Sequence, residues 1–512
     1  MIILEKYQDK VNGLLATFDR MILKGHIRQL FSPSGKLHFL SQENIKYIEF
    51  SQYAQKITAD IKEHAINMAK ELDRPYIYLN SPKISKEDTA KKCLAENPIK
   101  EGLICVLATV ELCSTLQVIK NKVTNKLELF NVNRKCTYLY FYFIDPEFGF
   151  MHVKLQAWFP FLIQVYINGR EYLSKQLDKH NIKYDRYENS LFNISDLQKA
   201  QELADNIESL KLCGRLDALA HRVNPFLARL TEIFHQGYYW CVDQCEYATD
   251  IMFNSRNELE EIYPALVEHA LVSFSCEDVM VFLGRKMHAA FQGEVVSDIK
   301  KRPQGVRIKH RMKSNSIKMY DKYHVLRIET TINDPHEFKI YKEANSKNGK
   351  VMRWVPMGKS IANLYRYAQI SKASNTRYLN ALVDAIPTNE LIAEVEKICS
   401  NVKSKNKSSY TGFNLLSSET CNLFLAIMNG AHHINGFTNK DIRRIIYPKE
   451  YNEVKVRNKT TRLIAKLRAH GLIRKAPRSY KYYVSKKGRR IMAGVLFLKQ
   501  KEYPSFTFKQ AC

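Results

Sequence analysis

Apolar and polar positions along the chain follow two rhythms, and the change between them divides it into regions. Residues 1–30 read at helical spacing and close on the turn Ser32-Pro33-Ser34-Gly35. Residues 51–72 keep the 3.6-residue period until Asp73-Arg74-Pro75 ends it. A short strand is predicted over 75–79 and a helix over 87–95. Continuous and alternating apolar runs then take over. They predict strands at 102–110, 137–144, 150–157 and 162–167, with Asp145-Pro146-Glu147-Phe148-Gly149 as a hairpin turn. Helical spacing returns at 195–210, 216–221, 224–234 and 258–271. Strands follow over 305–332, then helices at 359–370, 375–385 and 388–399. Residues 401–409 are polar and basic, with Val402 as the sole apolar position, and read as a linker.

The last fifth of the chain is patterned differently. Helices are predicted at 418–429, 439–447 and 459–470. Thr438 suits the N-cap of the second, and Gly471 the C-cap of the third. Leu463, Ile464 and Leu467 mark the inner face of the third helix. Its other face carries Lys459, Thr460, Arg462, Lys466 and Arg468. Two short strands follow, joined by the basic turn Ala476-Pro477-Arg478-Ser479, and Ser485-Lys486-Lys487-Gly488-Arg489-Arg490 leads into a last helix.

Charge sharpens this division. From residue 401 onward there are 24 Lys and Arg against 5 Asp and Glu, a net +19 of the chain's +27, which leaves +8 for the first 400 residues. So concentrated an excess is the footprint of a module that binds a polyanion. Three helices and a hairpin carrying Gly471-Leu472-Ile473, a basic tip and a Tyr-rich strand resemble the winged-helix DNA-binding domains. The resemblance implies a third helix in the major groove of double-stranded DNA and a wing on the phosphate backbone. It assigns phosphate contacts to Arg457, Lys459, Arg462, Lys466, Arg468, Arg474, Lys475, Arg478 and Lys481, and base reading to Thr460, Thr461 and Arg462. The chain is thus expected to be an α+β multidomain protein. A mainly helical region spans 1–100, an α+β core with a mixed or antiparallel sheet 101–400, a basic linker 401–411 and the winged helix 412–500.

Three features of the core offer chemistry. The first is the stretch 305–331, basic at Arg307, Lys309 and Arg311. It contains Lys318-Met319-Tyr320-Asp321-Lys322 and then Leu326-Arg327-Ile328-Glu329, which resembles a hairpin of phage and plasmid replication-initiation proteins. The resemblance implies metal-dependent nicking of DNA: Tyr320 as nucleophile, Lys322 stabilising charge on the phosphate, and Glu329 holding Mg²⁺ or Mn²⁺. The bland alternative is a basic hairpin whose acids pair with Arg327 or Lys322. The second is Asp145, at the end of an aromatic strand. It broadly resembles the first carboxylate of RNase H-like nucleases and transposases, with Glu246 and Asp250, one turn apart on a predicted helix, as metal-holding partners and Asp243 beside them. Turn chemistry explains Asp145 equally well. The third is aromatic density, at Tyr138, Tyr140, Phe141, Tyr142, Phe143, Trp158, Tyr238, Tyr239 and Trp240, which suits either base stacking or a core. A non-enzymatic regulator of transcription or replication, and an RNA-binding protein, are the competing functions.

Other classes lack a signal. Of eleven cysteines none forms a Cys-x-x-Cys pair, and most sit in apolar runs. They are expected to be reduced thiols of a cytoplasmic protein, with Cys241 and Cys245 on one helical face. The N-terminus does not read as a signal peptide. The apolar region 136–167 is broken by Asp145, Glu147, His152, Lys154 and Gln156 and so predicts strands rather than a membrane helix. Phosphate-binding glycine loops and the serine-hydrolase and zinc-protease motifs do not occur.

Overall fold

The structure is a computed structural model. It describes residues 2–496 except 82, 210–211, 286–293, 303–304, 347–348, 383–394, 404–408, 416, 430–431, 433–435, 449–452, 478 and 486. The fold is α+β, with helices and a mixed sheet. The chain forms two compact units, each assembled from separated stretches. One comprises Gly13–Met252 and Glu329–Ala373. The other comprises Met1–Asn12, Phe253–Ile328 and Ser374–Cys512.

The first unit is built on long strands: β1 (Val11–His26), β2 (Tyr76–Leu79), β3 (Gly102–Lys120), β4 (Leu127–Asp145), β5 (Gly149–Gln156), β6 (Ile163–Asn168) and β7 (Tyr239–Phe253), in the order β7-β1-β6-β5-β4-β3-β2. β2 and β3 run parallel, whereas β1–β6, β3–β4, β4–β5 and β5–β6 are antiparallel. Alternate residues of each strand point to opposite faces. Phe141, Val153 and Val165 lie on the core face, where helix α1 (Phe50–Glu71) covers the sheet with Ala54, Ile57, Ile61, Ala65 and Met68. On the other face helix α2 (Lys86–Glu96) seats Ala90 and Cys93 against Ile104, Cys105 and Leu107.

β1 and β7 depart from the sequence expectation. Residues 1–30 read as helical, yet only Ile2–Lys6 is helix and Val11–His26 is strand. Its apolar run 14–18 fits either period. The alternation that decides is Arg20-Met21-Ile22-Leu23-Lys24, in which Met21 and Leu23 are fully buried and Arg20 is exposed. Residues 239–253 are likewise a strand. Glu246 and Asp250 are therefore not on a helix, and Cys241 and Cys245 share no helical face. Cys113 and Cys136, on the paired strands β3 and β4, form a disulfide with a Cα separation of 6.6 Å, which corrects the expectation of reduced thiols there. The helices expected at 359–370 and 375–385 are one helix, Leu364–Leu382, because Ser371, Ser374 and Asn375 are buried within it rather than breaking it.

The second unit carries helix α3 (Arg256–Val272) and a sheet of β8 (Val295–Arg302), β9 (Gly305–Met312), β10 (Asn315–Lys322) and β11 (Val325–Ile332), in that order. Its inner face includes Ile308, His310, Ile317 and Met319, all fully buried. The expected linker contains a small ladder between Val402–Lys403 and Ser409–Tyr410, and residues 404–408 lie outside the described set. Of the helix expected at 388–399, residues 395–399 are helical and the rest lie outside that set.

Beyond it come α4 (Ser418–Ile427), α5 (Asn439–Ile446), α6 (Glu453–Ala469) and a hairpin of β12 (Ile473–Lys475) and β13 (Tyr482–Val484). They share a core of their own, with Phe424, Ile442, Ile464, Leu467 and Leu472 at its centre. Thr438 begins α5 as expected: its backbone N–H and hydroxyl both donate to Asp441 at 2.8 Å. Burial raises the Asp441 pKa, but these two bonds outweigh it and hold the carboxyl below its ordinary range. Gly471 follows α6 with φ +73°, a conformation other residues rarely adopt.

Candidate nucleic-acid interface

Helix α6 sorts its residues by their position around the axis. Val456, Thr460, Ile464 and Leu467 point inward, spaced four, four and three residues apart. Arg457, Lys459, Thr461, Arg462 and Arg468 are exposed, with Arg462 opposite the inward row and the others flanking it. Arg474, Lys475 and Lys481 are exposed on the hairpin, with the Lys475 ammonium 5.9 Å from the Tyr480 ring centroid. Arg478 lies outside the described residues.

Two of the expected contacts do not fit this surface. Thr460 is fully buried and donates its hydroxyl to the Val456 carbonyl at 2.9 Å, so it cannot reach a base edge. Lys466 donates to the Gly412 carbonyl at 2.9 Å and sits 4.2 Å from the Phe413 ring centroid. Burial holds its pKa below the usual value. It ties the start of the segment to α6 instead of facing solvent. Thr461 is exposed, but its hydroxyl donates to the Arg457 carbonyl and accepts from the Asn439 amide.

The basic hairpin of the second unit forms another charged face. Register places Lys300, Arg307 and Tyr320 in one row across β8, β9 and β10. Asp298, Lys309 and Lys318 form the next, and Val296, Arg311 and Ser316 the third. Lys309 stands directly opposite Lys318, a pairing that costs stability through repulsion. Burial, then Lys318 and Arg307, push the Lys309 pKa down. Tyr320 is half-buried, with the Arg327 guanidinium 6.0 Å from its ring centroid, and Lys322 is half-buried on the same strand. Sequence reasoning named Arg307, Lys309, Arg311 and Lys318 but missed Lys300, which lies in Ile299-Lys300-Lys301-Arg302, just before the stretch it singled out.

The carboxylates expected to hold Mg²⁺ or Mn²⁺ are otherwise engaged. Asp145 accepts the N–H groups of Glu147 and Phe148, each at 2.9 Å, and Arg215 lies 3.1 Å from the same oxygen. This is the turn chemistry named as its alternative. Glu246 faces Arg20 at 3.8 Å and Thr331 at 3.4 Å. Asp250 and Arg170 make a fully buried ion pair at 3.0 Å. Glu329 is buried as well. A divalent ion at Asp145, Glu246 or Asp250 would have to displace an arginine. Among the described residues no three His, Cys, Asp or Glu side chains gather as a ligand group. No described helix is long and apolar enough to cross a membrane.

The aromatic run also divides by face. Phe141, Phe143, Tyr238 and Trp240 are core. On the other face of the sheet His152 stacks on Tyr166, with centroids 5.0 Å apart and 8° between planes, and lies 4.9 Å from Tyr142. Burial, with Lys154 and Arg20 nearby, pushes the His152 pKa down to about 3. Lys154 lies over Tyr138 at 4.0 Å and pairs with Glu111 at 2.8 Å. Compared with family models, curated proteins and solved structures, the chain matches none.

Proposed function

We propose that residues 412–496 form a winged-helix module that binds double-stranded DNA, with α6 in the major groove and the β12–β13 hairpin against the backbone. One observation carries this reading. The exposed side of α6 and the adjoining hairpin present Arg457, Lys459, Arg462, Arg468, Arg474, Lys475 and Lys481, while the inner side of α6 closes an independent core. Such cations neutralise phosphates and release counterions, which supplies affinity without sequence preference. Base reading falls to Arg462 and the exposed residues around it, now that Thr460 is turned inward.

Between a strand-cleaving initiator or mobile-element enzyme and a regulator that only binds, the ion pairs of Asp145, Glu246 and Asp250 favour the regulator. The deciding experiment has two parts. Fluorescence anisotropy at one salt concentration compares duplex DNA, single-stranded DNA and RNA of the same sequence. The proposal expects the duplex to bind tightest. Supercoiled plasmid is then incubated with the protein and Mg²⁺ or Mn²⁺. No nicking is expected. Nicking lost in Tyr320→Phe with a covalent adduct would establish the initiator reading, and nicking lost only in Asp145→Asn the RNase H-like one.

A further inference from the structure

A cleft of about 340 Å³ opens in the first unit between helix α1 and the strands β3 and β4. That is the lower end of the range for small-molecule sites. Its lining includes Lys62 from α1, Arg134 and Lys135 from β4, and Trp158 from the turn after β5, and none of the lining residues is an acid. Among the described residues, none of these three cations has a carboxylate within ion-pair distance. Elsewhere in the unit Arg170 pairs with Asp250 and Lys154 with Glu111. Three like charges around one concavity repel one another unless an anion joins them.

Trp158 is held in place. Its indole N–H donates to the Leu116 carbonyl at 3.1 Å, and the buried Gln156 amide donates to the carbonyls of Trp158 at 3.0 Å and Ser114 at 2.9 Å. The Arg134 guanidinium lies 5.7 Å from the indole centroid. A ring fixed this way costs little entropy when a planar group stacks on it. Thr58 also lines the cleft and is half-buried, and its hydroxyl donates to the Ala157 carbonyl at 2.6 Å, so its oxygen remains an acceptor.

From this geometry we infer that the cleft is a nucleotide site: Lys62, Arg134 and Lys135 take the phosphate, Trp158 takes the base by stacking, and the Thr58 oxygen accepts from an amino or hydroxyl group of the ligand. The ligand is a phosphoryl group attached to a planar base, whether a free mononucleotide or the 5′-phosphorylated end of a strand. The site shares no residue with the duplex interface and stands independently of it.

Calorimetric titration of the full chain with AMP, adenosine, inorganic phosphate and a 5′-phosphorylated oligonucleotide tests the inference. AMP is expected to bind and raise the melting temperature. Adenosine and phosphate alone should each bind at least about tenfold more weakly. Arg134→Gln with Lys135→Gln, both exposed positions, should weaken AMP about tenfold or more without lowering the melting temperature of the free protein. Arg457→Gln with Arg462→Gln should leave AMP binding unchanged, which separates this site from the duplex reading. In the Arg457→Gln/Arg462→Gln variant, an oligonucleotide bound more tightly with its 5′-phosphate than without it, and more tightly than AMP, identifies the nucleic-acid source, and AMP bound more tightly a free nucleotide. AMP failing to bind at concentrations on the order of 1 mM together with oligonucleotide binding that does not depend on the 5′-phosphate, or the double variant binding AMP equally well, would overturn it.

Discussion

The exposed side of α6 with its hairpin, and the sheet of the first unit, are both rich in cations, but they use them differently. Arg20 and Lys154 on the sheet meet Glu246 and Glu111, and Arg170 and Arg215, from the helices Gly169–Lys179 and Leu212–Val223, meet its Asp250 and Asp145. On α6 and the hairpin, Arg457, Arg462, Arg468, Arg474 and Lys481 are exposed on a segment with few acids. Cations matched by carboxylates hold a fold together. Cations left to solvent beside one another hold it back slightly through repulsion and wait for a polyanion. Net charge alone would not distinguish the two. The location of the partner carboxylates does.

The comparison can be broken most forcefully at Asp250. Asp250→Ala removes a buried carboxylate 3.0 Å from the buried Arg170 guanidinium and should destabilise the first unit by about 3–5 kcal/mol. Chemical denaturation would measure this, and an apolar replacement of both partners should recover much of the loss. A change below about 1 kcal/mol would mean that the pair does not hold the fold.

Acid tests the same contrast on a neutral buried base. His310 is fully buried between the Ser297 hydroxyl at 2.7 Å and the Tyr378 hydroxyl at 3.1 Å, and burial pushes its pKa down to about 4. Its ordinary value is 6.5. Between these values the unfolded chain takes up a proton that the folded chain does not. Stability should therefore be intact above about pH 6.5 and fall as pH drops toward 4, by an amount on the order of 3 kcal/mol. His152, pushed down to about 3, adds a loss of the same sign over the same window and continuing lower. His310→Gln should flatten the curve in urea denaturation followed across that range.

The smallest effect sharpens the interface itself. Thr460→Val removes a hydroxyl bonded to the Val456 carbonyl and should cost about 1 kcal/mol of stability. Duplex affinity should stay within about twofold, because the residue faces inward. A change in sequence preference would restore Thr460 to the base-reading set.

Much of the architecture was legible because it rests on local signals. Thr438 before one amphipathic helix, Gly471 after another, and the period of Ile464 and Leu467 each fix an element from its own residues. The strands β4, β5 and β6 announced themselves by apolar runs and by the Asp145–Gly149 turn. What failed was decided at a distance. The run 14–18 has no period of its own, and it continues a strand whose later residues, Arg20–Gly25, pair with β6. Asp145, Glu246 and Asp250 looked like a metal set in sequence, since nothing near them announces Arg215, Arg20 or Arg170. Thr460 looked like part of the charged face because it lies between Lys459 and Arg462. Its depth follows from the helix phase established by Val456. The cleft at Trp158 was invisible for the same reason: Lys62 and Arg134 are far apart in the chain and meet through the packing of α1 on the sheet.

Duplex binding by α6 and its hairpin through exposed cations is tested by the salt dependence of duplex affinity for the full chain and for Arg457→Gln/Arg462→Gln/Arg474→Gln. If each arginine neutralises one phosphate, the slope of log affinity against log salt should be shallower by about 3 in the variant, with binding about 100-fold weaker near physiological salt and melting unchanged. A slope and affinity equal to those of the unaltered protein would contradict the account.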